Sequence, residues 1–227
     1  ARSDYSTDFY VDEEDKQVFS VIEFSEDSIK GTAYQKQDPD DWNSFKAVDS
    51  YEILNNRQTG KQVTDYTDVS SNAWYYDAAK YVTDKGLMNG TGSDKFSPSA
   101  TTTRAMLMTV LARYAGEDPT GGATWYEKSM EWAKAKGVSD GTNPNANITR
   151  EQLVTMLYRY AGSPKADGKL DSFSDSASVS TYAADAMQWA VANGIVNGSN
   201  GKLNPKNNAT RAEVAAILMR FCELMKK

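Results

Sequence analysis

Three short stretches hold the residues with the clearest chemical potential: Thr103-Arg104-Ala105-Met106, Thr149-Arg150-Glu151-Gln152 and Thr210-Arg211-Ala212-Glu213. Each opens an apolar run that reads as a helix, as Val214 to Met219 does after the last of them. A threonine at that point caps a helix by accepting a hydrogen bond from the first turn. An arginine just after it is out of place, because the helix dipole disfavours a cation there and favours an anion. Three arginines in matched positions point to a job other than helix propensity. At a helix start, a guanidinium adds a forked, permanently charged donor to unsatisfied backbone N–H groups, a combination suited to a carboxylate. The structural alternative is that each arginine bonds carbonyls of a neighbouring repeat and locks the repeats together.

Composition narrows the chemistry. The 227 residues include no histidine. Ser-His-Asp and Cys-His catalysis, His-bound zinc and imidazole acid–base chemistry are thereby excluded. The one cysteine, Cys222, sits in the last helical run, cannot form a disulfide within the chain, and reads as a small buried hydrophobe. The contiguous run Asp12-Glu13-Glu14-Asp15 lacks the alternate spacing of a calcium loop and reads as a solvated acidic turn. No catalytic residue, metal site or cofactor is expected. The net charge is -6, but its sign is uneven: 7 Lys+Arg and 15 Asp+Glu through Asp65, then 18 and 16. No dense basic patch is visible, so nucleic acid is not an expected partner. No apolar run approaches the roughly 20 residues of a membrane span, and no signal peptide is visible. Ala1 reads as a cut, and the chain as the tail of something longer.

The elements that must position the arginines divide the chain. Residues 1–65 form a β-rich acidic segment. Gln17 to Phe24, Ile29 to Tyr34 and Ala47 to Leu54 predict three strands, with a turn at Ser25-Glu26-Asp27-Ser28 and a loop around Asp38-Pro39-Asp40-Asp41. Three short strands rarely stand alone.

From Tyr66 the chain is repetitive, with units at 66–119, 120–165 and 166–227. Tyr66-Thr67-Asp68-Val69 leads to Trp74, a helix from Tyr75 to Lys85, a stop at Gly86, and the turn Leu87-Met88-Asn89-Gly90. Lys95-Phe96-Ser97-Pro98 then carries the chain to the arginine helix. The third unit follows with Phe173-Ser174-Asp175, Tyr182 in place of tryptophan, Gly194-Ile195-Val196-Asn197-Gly198 and Lys202-Leu203-Asn204-Pro205. The middle unit lacks the aromatic-x-Asp opening but keeps Trp125, Gly137-Val138-Ser139-Asp140-Gly141 and Pro144. In every unit the proline lies six residues before the arginine, whereas the distance from the helix-stopping glycine is 18, 13 and 17 residues. The loop varies and the approach to the second helix does not, so the approach builds something. Core tryptophans, C-cap glycines and core methionines (Met106, Met108, Met156, Met219, Met225) are the plainer readings of those residues.

The order aromatic-x-Asp-Val, Trp, helix, Gly-x-x-x-Gly, Phe-x-Pro, Thr-Arg-Ala-Glu resembles the S-layer homology module in three tandem copies, over about residues 66–221. The resemblance implies a mainly α fold, a pseudo-threefold assembly of three helix-loop-helix units with grooves between them, preceded here by the short N-terminal β-strand segment. It implies non-covalent anchoring of a secreted protein on a bacterial cell surface, with a secondary cell wall polysaccharide as partner, often one carrying pyruvylated N-acetylmannosamine, and no membrane insertion. Carried over by residue, the glycan-binding set is Arg104, Arg150 and Arg211; Thr103, Thr149 and Thr210; the groove glycines Gly90, Gly141 and Gly198; the acids Asp68 and Asp175; and Glu213. Trp74, Trp125 and Tyr182 are candidates to stack on a sugar face, and the paired glycines would let backbone approach a ligand. The family glutamate is shifted to Glu151-Gln152 in unit two and lost to Met106 in unit one, which makes Arg211 the best of the three arginines. The spacing of the first three predicted strands resembles the closing strands of calcineurin-like metallophosphoesterases. That likeness implies a surface hydrolase domain upstream. A host-protein-binding adhesin is a third class, for which the sequence gives no positive sign.

Overall fold

The computed structural model describes residues 6–11, 17–24, 28–38, 40–41, 44–54, 62–92 and 94–226. The chain divides into two compact units, residues 1–60 and 61–227. The acidic run Asp12 to Asp15 and the turn residues 25–27 lie outside the described residues.

The first unit is an antiparallel meander of four strands rather than three: β1 (Ser6–Val11), β2 (Gln17–Phe24), β3 (Ser28–Lys36) and β4 (Phe45–Leu54), in the order β1-β2-β3-β4. The extra strand, β1, carries Phe9-Tyr10-Val11, a strand-forming run too short to stand out in the sequence. Between β3 and β4 the register slips: Ala33 faces Asp49 but Tyr34 faces Ala47. Val48 is the extra residue of this bulge, and it is exposed.

The second unit is helical. It contains α1 (Tyr76–Asp84), α2 (Arg104–Tyr114), α3 (Glu127–Ala135), α4 (Arg150–Tyr160), α5 (Ala184–Ala192) and α6 (Arg211–Met225). The first helix of each repeat stops at Gly86, Gly137 or Gly194, with φ of 63°, 68° and 67°. That left-handed conformation favours glycine. In the second helices, the third, fourth and seventh residues after the arginine form the buried stripe: Leu107, Met108 and Leu111; Leu153, Val154 and Leu157; Val214, Ala215 and Leu218.

Helices do not pair within a repeat. α3 packs on α2, α5 on α4, and α1 on α6, so the last repeat closes on the first. Two triads mark the resulting pseudo-threefold axis. At one end, Thr102 N–H donates to the Ala209 carbonyl, Ala209 N–H to Ile148, and Ile148 N–H to Thr102, at 3.0, 2.9 and 2.9 Å. These residues stand two before each arginine. Ten residues after the arginines, Tyr114, Tyr160 and Phe221 meet with ring centroids 5.7, 6.0 and 5.9 Å apart, within the usual range of aromatic pairs.

Candidate functional site

The arginines link neighbouring repeats in a cycle. Arg104 Nε donates to the Thr142 carbonyl at 2.9 Å, Arg150 Nε to Leu203 at 2.8 Å, and Arg211 Nε to Phe96 at 2.7 Å. Each acceptor stands two residues before the proline of the next repeat. The second helix starts are engaged with the same segment. Arg104 and Ala105 N–H donate to the Ala146 and Pro144 carbonyls, Arg150 and Glu151 to Asn207 and Pro205, and Arg211 and Ala212 to Ala100 and Pro98. The constant six-residue spacing follows. Alternate residues from two before the proline to the arginine bond across an interface, and only the loop ahead of them is free to vary.

These bonds correct one expectation. The first-turn N–H groups do not form an open anion cradle, because neighbouring carbonyls take the first two and the cap takes the third. Thr103, Thr149 and Thr210 are N-caps, accepting from the N–H of Met106, Gln152 and Glu213. Gln152 and Glu213 complete capping boxes, while Met106 has no side-chain acceptor to do so.

Carboxylates then distinguish the three arginines. Arg104 Nη2 pairs with Asp140 Oδ1 at 2.7 Å, and Arg150 Nη1 with Glu213 Oε1 at 2.8 Å. Arg211 Nη2 instead donates to the Asn89 carbonyl, and its guanidinium carbon lies 4.8 Å from the centre of the Phe96 ring. Among the described residues Arg211 makes no ion pair. Burial pulls its pKa below the ordinary arginine value, and the carbonyls and ring are what hold its charge in place.

Asp68 and Asp175 turn inward. Asp68 accepts from Phe96 and Ser97 N–H, and Asp175 from Leu203 and Asn204 N–H, all at 2.8 Å. Burial opposes the charge of Asp175, but the two backbone donors prevail and hold its carboxyl below the usual range. Both acids fix the loop that supplies the carbonyl for the neighbouring arginine. Gly90 and Gly198 are also committed to packing. A Cβ would lie 2.7 Å from Tyr66 at Gly90 and 2.5 Å from Phe173 at Gly198. The aromatic of the repeat opening fills the space beside each glycine. At Gly141, whose repeat lacks that aromatic, the Lys134 stem stands there at 2.7 Å.

The three aromatics behave oppositely to core residues. Trp74, Trp125 and Tyr182 are 68, 56 and 54% exposed, at matched positions two residues before α1, α3 and α5. The plainer reading of the two tryptophans as core fails. Trp74 and Trp125 stand edge-on to Tyr75 and Tyr126, at 5.4 and 5.2 Å. Trp74, Arg150, Gly198, Glu213 and Arg220 share a cleft of about 410 Å³. Tyr182, Arg104, Asp140, Gln152 and Arg159 share another of about 320 Å³. The structure thus brings together an aromatic of one repeat, the arginine of a second and the second helix of a third.

Two features escaped the sequence reading. A second arginine stands nine residues after the first in every repeat: Arg113, Arg159 and Arg220. Arg220 and Arg159 line the two clefts. Arg113 donates to the Leu87 carbonyl and Arg220 to Ile195, both at 3.3 Å. Counting beyond the Thr-Arg start would have found them. The other feature is Glu151, only 3% exposed. It accepts from Ser180 N–H at 3.0 Å, Ser180 Oγ at 2.9 Å, Tyr182 Oη at 3.0 Å and Lys206 Nζ at 2.7 Å. Burial and the Glu151 bond push the Tyr182 phenol up to about 12. The third repeat therefore has a use for tyrosine where the others carry tryptophan.

The helical repeat architecture and the interlocking arginines define a class of three-repeat helical modules. A profile of the S-layer homology domain matches residues 65–105, 119–154 and 172–215, and this chain belongs to that family. It is a repeat module of the bacterial cell surface, and among the described residues no helix is long and apolar enough to cross a membrane. It is 27% identical over 162 residues to a surface-layer 125 kDa protein of Lysinibacillus sphaericus, covering 70% of this chain and 10% of that protein. It is 31% identical over 176 residues to an amylopullulanase of Thermoanaerobacterium thermosulfurigenes, covering 70% and 9%. An endoglucanase of Bacillus sp. (strain KSM-635) is 29% identical over 182 residues, covering 72% and 19%. The chain spans at most about a fifth of these relatives.

Proposed function

We propose that the repeat region is a non-catalytic anchor that binds an anionic secondary cell wall polysaccharide in the grooves between repeats. The observation that carries this reading is the recurrence of one exposed aromatic with two arginines, as Trp74 with Arg150 and Arg220, and Tyr182 with Arg104 and Arg159. An aromatic face suits a sugar ring, and a guanidinium suits a carboxylate such as that of a pyruvyl ketal. Trp125 completes the same set with Arg211 and Arg113 by repeat equivalence. The arginines named from the family motif act here in two capacities, since one side of each guanidinium is committed to a neighbouring carbonyl. Asp68, Asp175 and the glycines support the groove walls from behind.

Calorimetry with purified wall polymer, intact and depyruvylated, tests the reading. Binding that is lost on depyruvylation and weakened by Trp74→Ala supports it. Binding indifferent to both overturns it.

A second reading concerns the whole protein. The amylopullulanase and endoglucanase names belong to relatives far longer than this chain. We infer that this module serves to hold another domain of the same protein on the wall, with a hydrolase as the leading class. The metallophosphoesterase likeness of the strands is one version of it. The full-length gene decides: a His and Asp metal-ligand set ahead of Ala1 supports that version, and a glycoside hydrolase domain replaces it.

A further inference from the structure

We propose that the three grooves are unequal, and that the groove walled by α2, to which repeat equivalence assigns Arg211 and Arg113, is the principal anion site. This inference rests on the glycan reading above and deepens it. Two guanidiniums line each of the two clefts described above, and both clefts supply a carboxylate of their own. Asp140 lies 2.7 Å from Arg104, and Glu213 lies 2.8 Å from Arg150. Each holds a position where a ligand carboxylate would bond and cancels one charge of the pair. In the α2 groove the position equivalent to Glu213 is Met106, and the one equivalent to Asp140 is Asn89, which offers Arg211 only its carbonyl.

Arg211 is bonded through Nε and Nη2 to carbonyls, while Nη1 has no protein acceptor among the described residues. Asp68 acts on it through its field, but both Asp68 oxygens bond backbone N–H groups rather than the guanidinium. Arg113 spends one donor on the Leu87 carbonyl and meets no carboxylate among the described residues. An anion entering this groove meets two guanidiniums that have no carboxylate bonded to them among the described residues. In the other grooves it must displace an internal carboxylate, and pairing two anions against the same guanidinium is unfavourable.

The test is calorimetry of the full chain with a pyruvylated N-acetylmannosamine glycoside, with its depyruvylated counterpart as control. Arg113→Gln is used in place of an Arg211 variant, because Arg211 closes the ring of repeats. Loss of a charge-assisted bond there weakens binding by roughly tenfold or more. Arg159→Gln and Arg220→Gln cost less than Arg113→Gln, and Lys165→Gln, an equal change in net charge at an exposed site, leaves binding unchanged. The gain-of-function arm uses Glu213→Gln and Asp140→Asn. Gln152 already completes a capping box in repeat two, so glutamine at 213 keeps the cap. Asparagine at 140 still accepts from Thr142 N–H, the bond Asp140 makes at 3.0 Å. Each variant removes the anion that neutralises a guanidinium, and the expected result is a second set of sites in the titration. Arg113→Gln binding as the wild type does, or unchanged stoichiometry in both gain variants, overturns the ranking while leaving the glycan reading intact. A wild type and variants that all give no heat overturn both.

Discussion

Replacing Glu151 by alanine should cost more stability than any single surface change, although repeats one and three carry alanine at the same place (Ala105 and Ala212). The carboxylate sits at the second position of α4 and gathers four donors from the Ser180–Tyr182 turn and Lys206. Charge-assisted hydrogen bonds contribute about 1.5–3 kcal/mol each where the groups stay buried. Lys206 is half exposed and can turn to water, so its share is small. The Ser180 and Tyr182 bonds remain, and the expected loss is about 3 kcal/mol. For a unit of this size that lowers Tm by roughly 6–12 °C. Glu151→Gln keeps one acceptor oxygen for Ser180 N–H, and its NH2 can donate to the Ser180 and Tyr182 hydroxyls, so it should lose only about 1 kcal/mol.

The pH dependence gives the prediction a second edge. Burial works against the Glu151 charge, but Lys206, Ser180 and Tyr182 outweigh it and hold the carboxyl below its ordinary value. A depressed folded pKa means the stabilisation is complete above the unfolded value of about 4.3 and is lost as pH falls through the folded value. Differential scanning calorimetry from pH 7 downward should therefore show wild type and Glu151→Gln converging in acid. A Glu151→Ala protein within about 0.5 kcal/mol of wild type at pH 7, or parallel pH curves, would refute the reasoning.

Three further outcomes are open to simple measurement. Gly198→Ala should destabilise by about 2–3 kcal/mol and Gly194→Ala by about 1 kcal/mol in urea unfolding, because both have positive φ but only Gly198 abuts Phe173. Asp175→Ala should cost about 2 kcal/mol at pH 7 and progressively less in acid, since its carboxyl also titrates low; thermal melts at pH 7 and pH 3 check it. Burial raises the Cys222 thiol to about 11. At pH 8 dithionitrobenzoate should label it only on the timescale of unfolding, and prompt labelling of the native chain would contradict its burial.

Much of the helical unit was legible because its signals are local. Gly86, Gly137 and Gly194 stop helices where a left-handed residue is needed, and the Thr-Arg starts are caps in all three repeats. The constant proline-to-arginine spacing was visible, but its reason was not. The acceptors of Arg104 lie in another repeat, and no periodicity states which repeat an arginine reaches. For the same reason Glu151 looked like a displaced family glutamate. Its partners, Ser180, Tyr182 and Lys206, are 29 to 55 residues away. The exposure of Trp74 and Trp125 ran against composition, which favours burial of tryptophan. The paired arginines nine residues apart were legible as a constant spacing, but the second of each pair lies outside the Thr-Arg cap motif.

The closure of α1 on α6 has a mechanical consequence. In an open solenoid, repeats touch only their neighbours in sequence and can peel away one at a time under tension. Here the first helix of the repeat region is held by the last, and the Thr102, Ile148 and Ala209 bonds tie all three repeats at one point. A pull at residue 62 acts first on the seam that joins the ends of the ring. Once that seam opens, α6 loses its packing partner and the Arg211 bonds to Asn89 and Phe96 go with it. Single-molecule extension of residues 62–226 should therefore show one high-force rupture rather than three steps. Attachment to a surface would then be governed by the slow rate of a single concerted event.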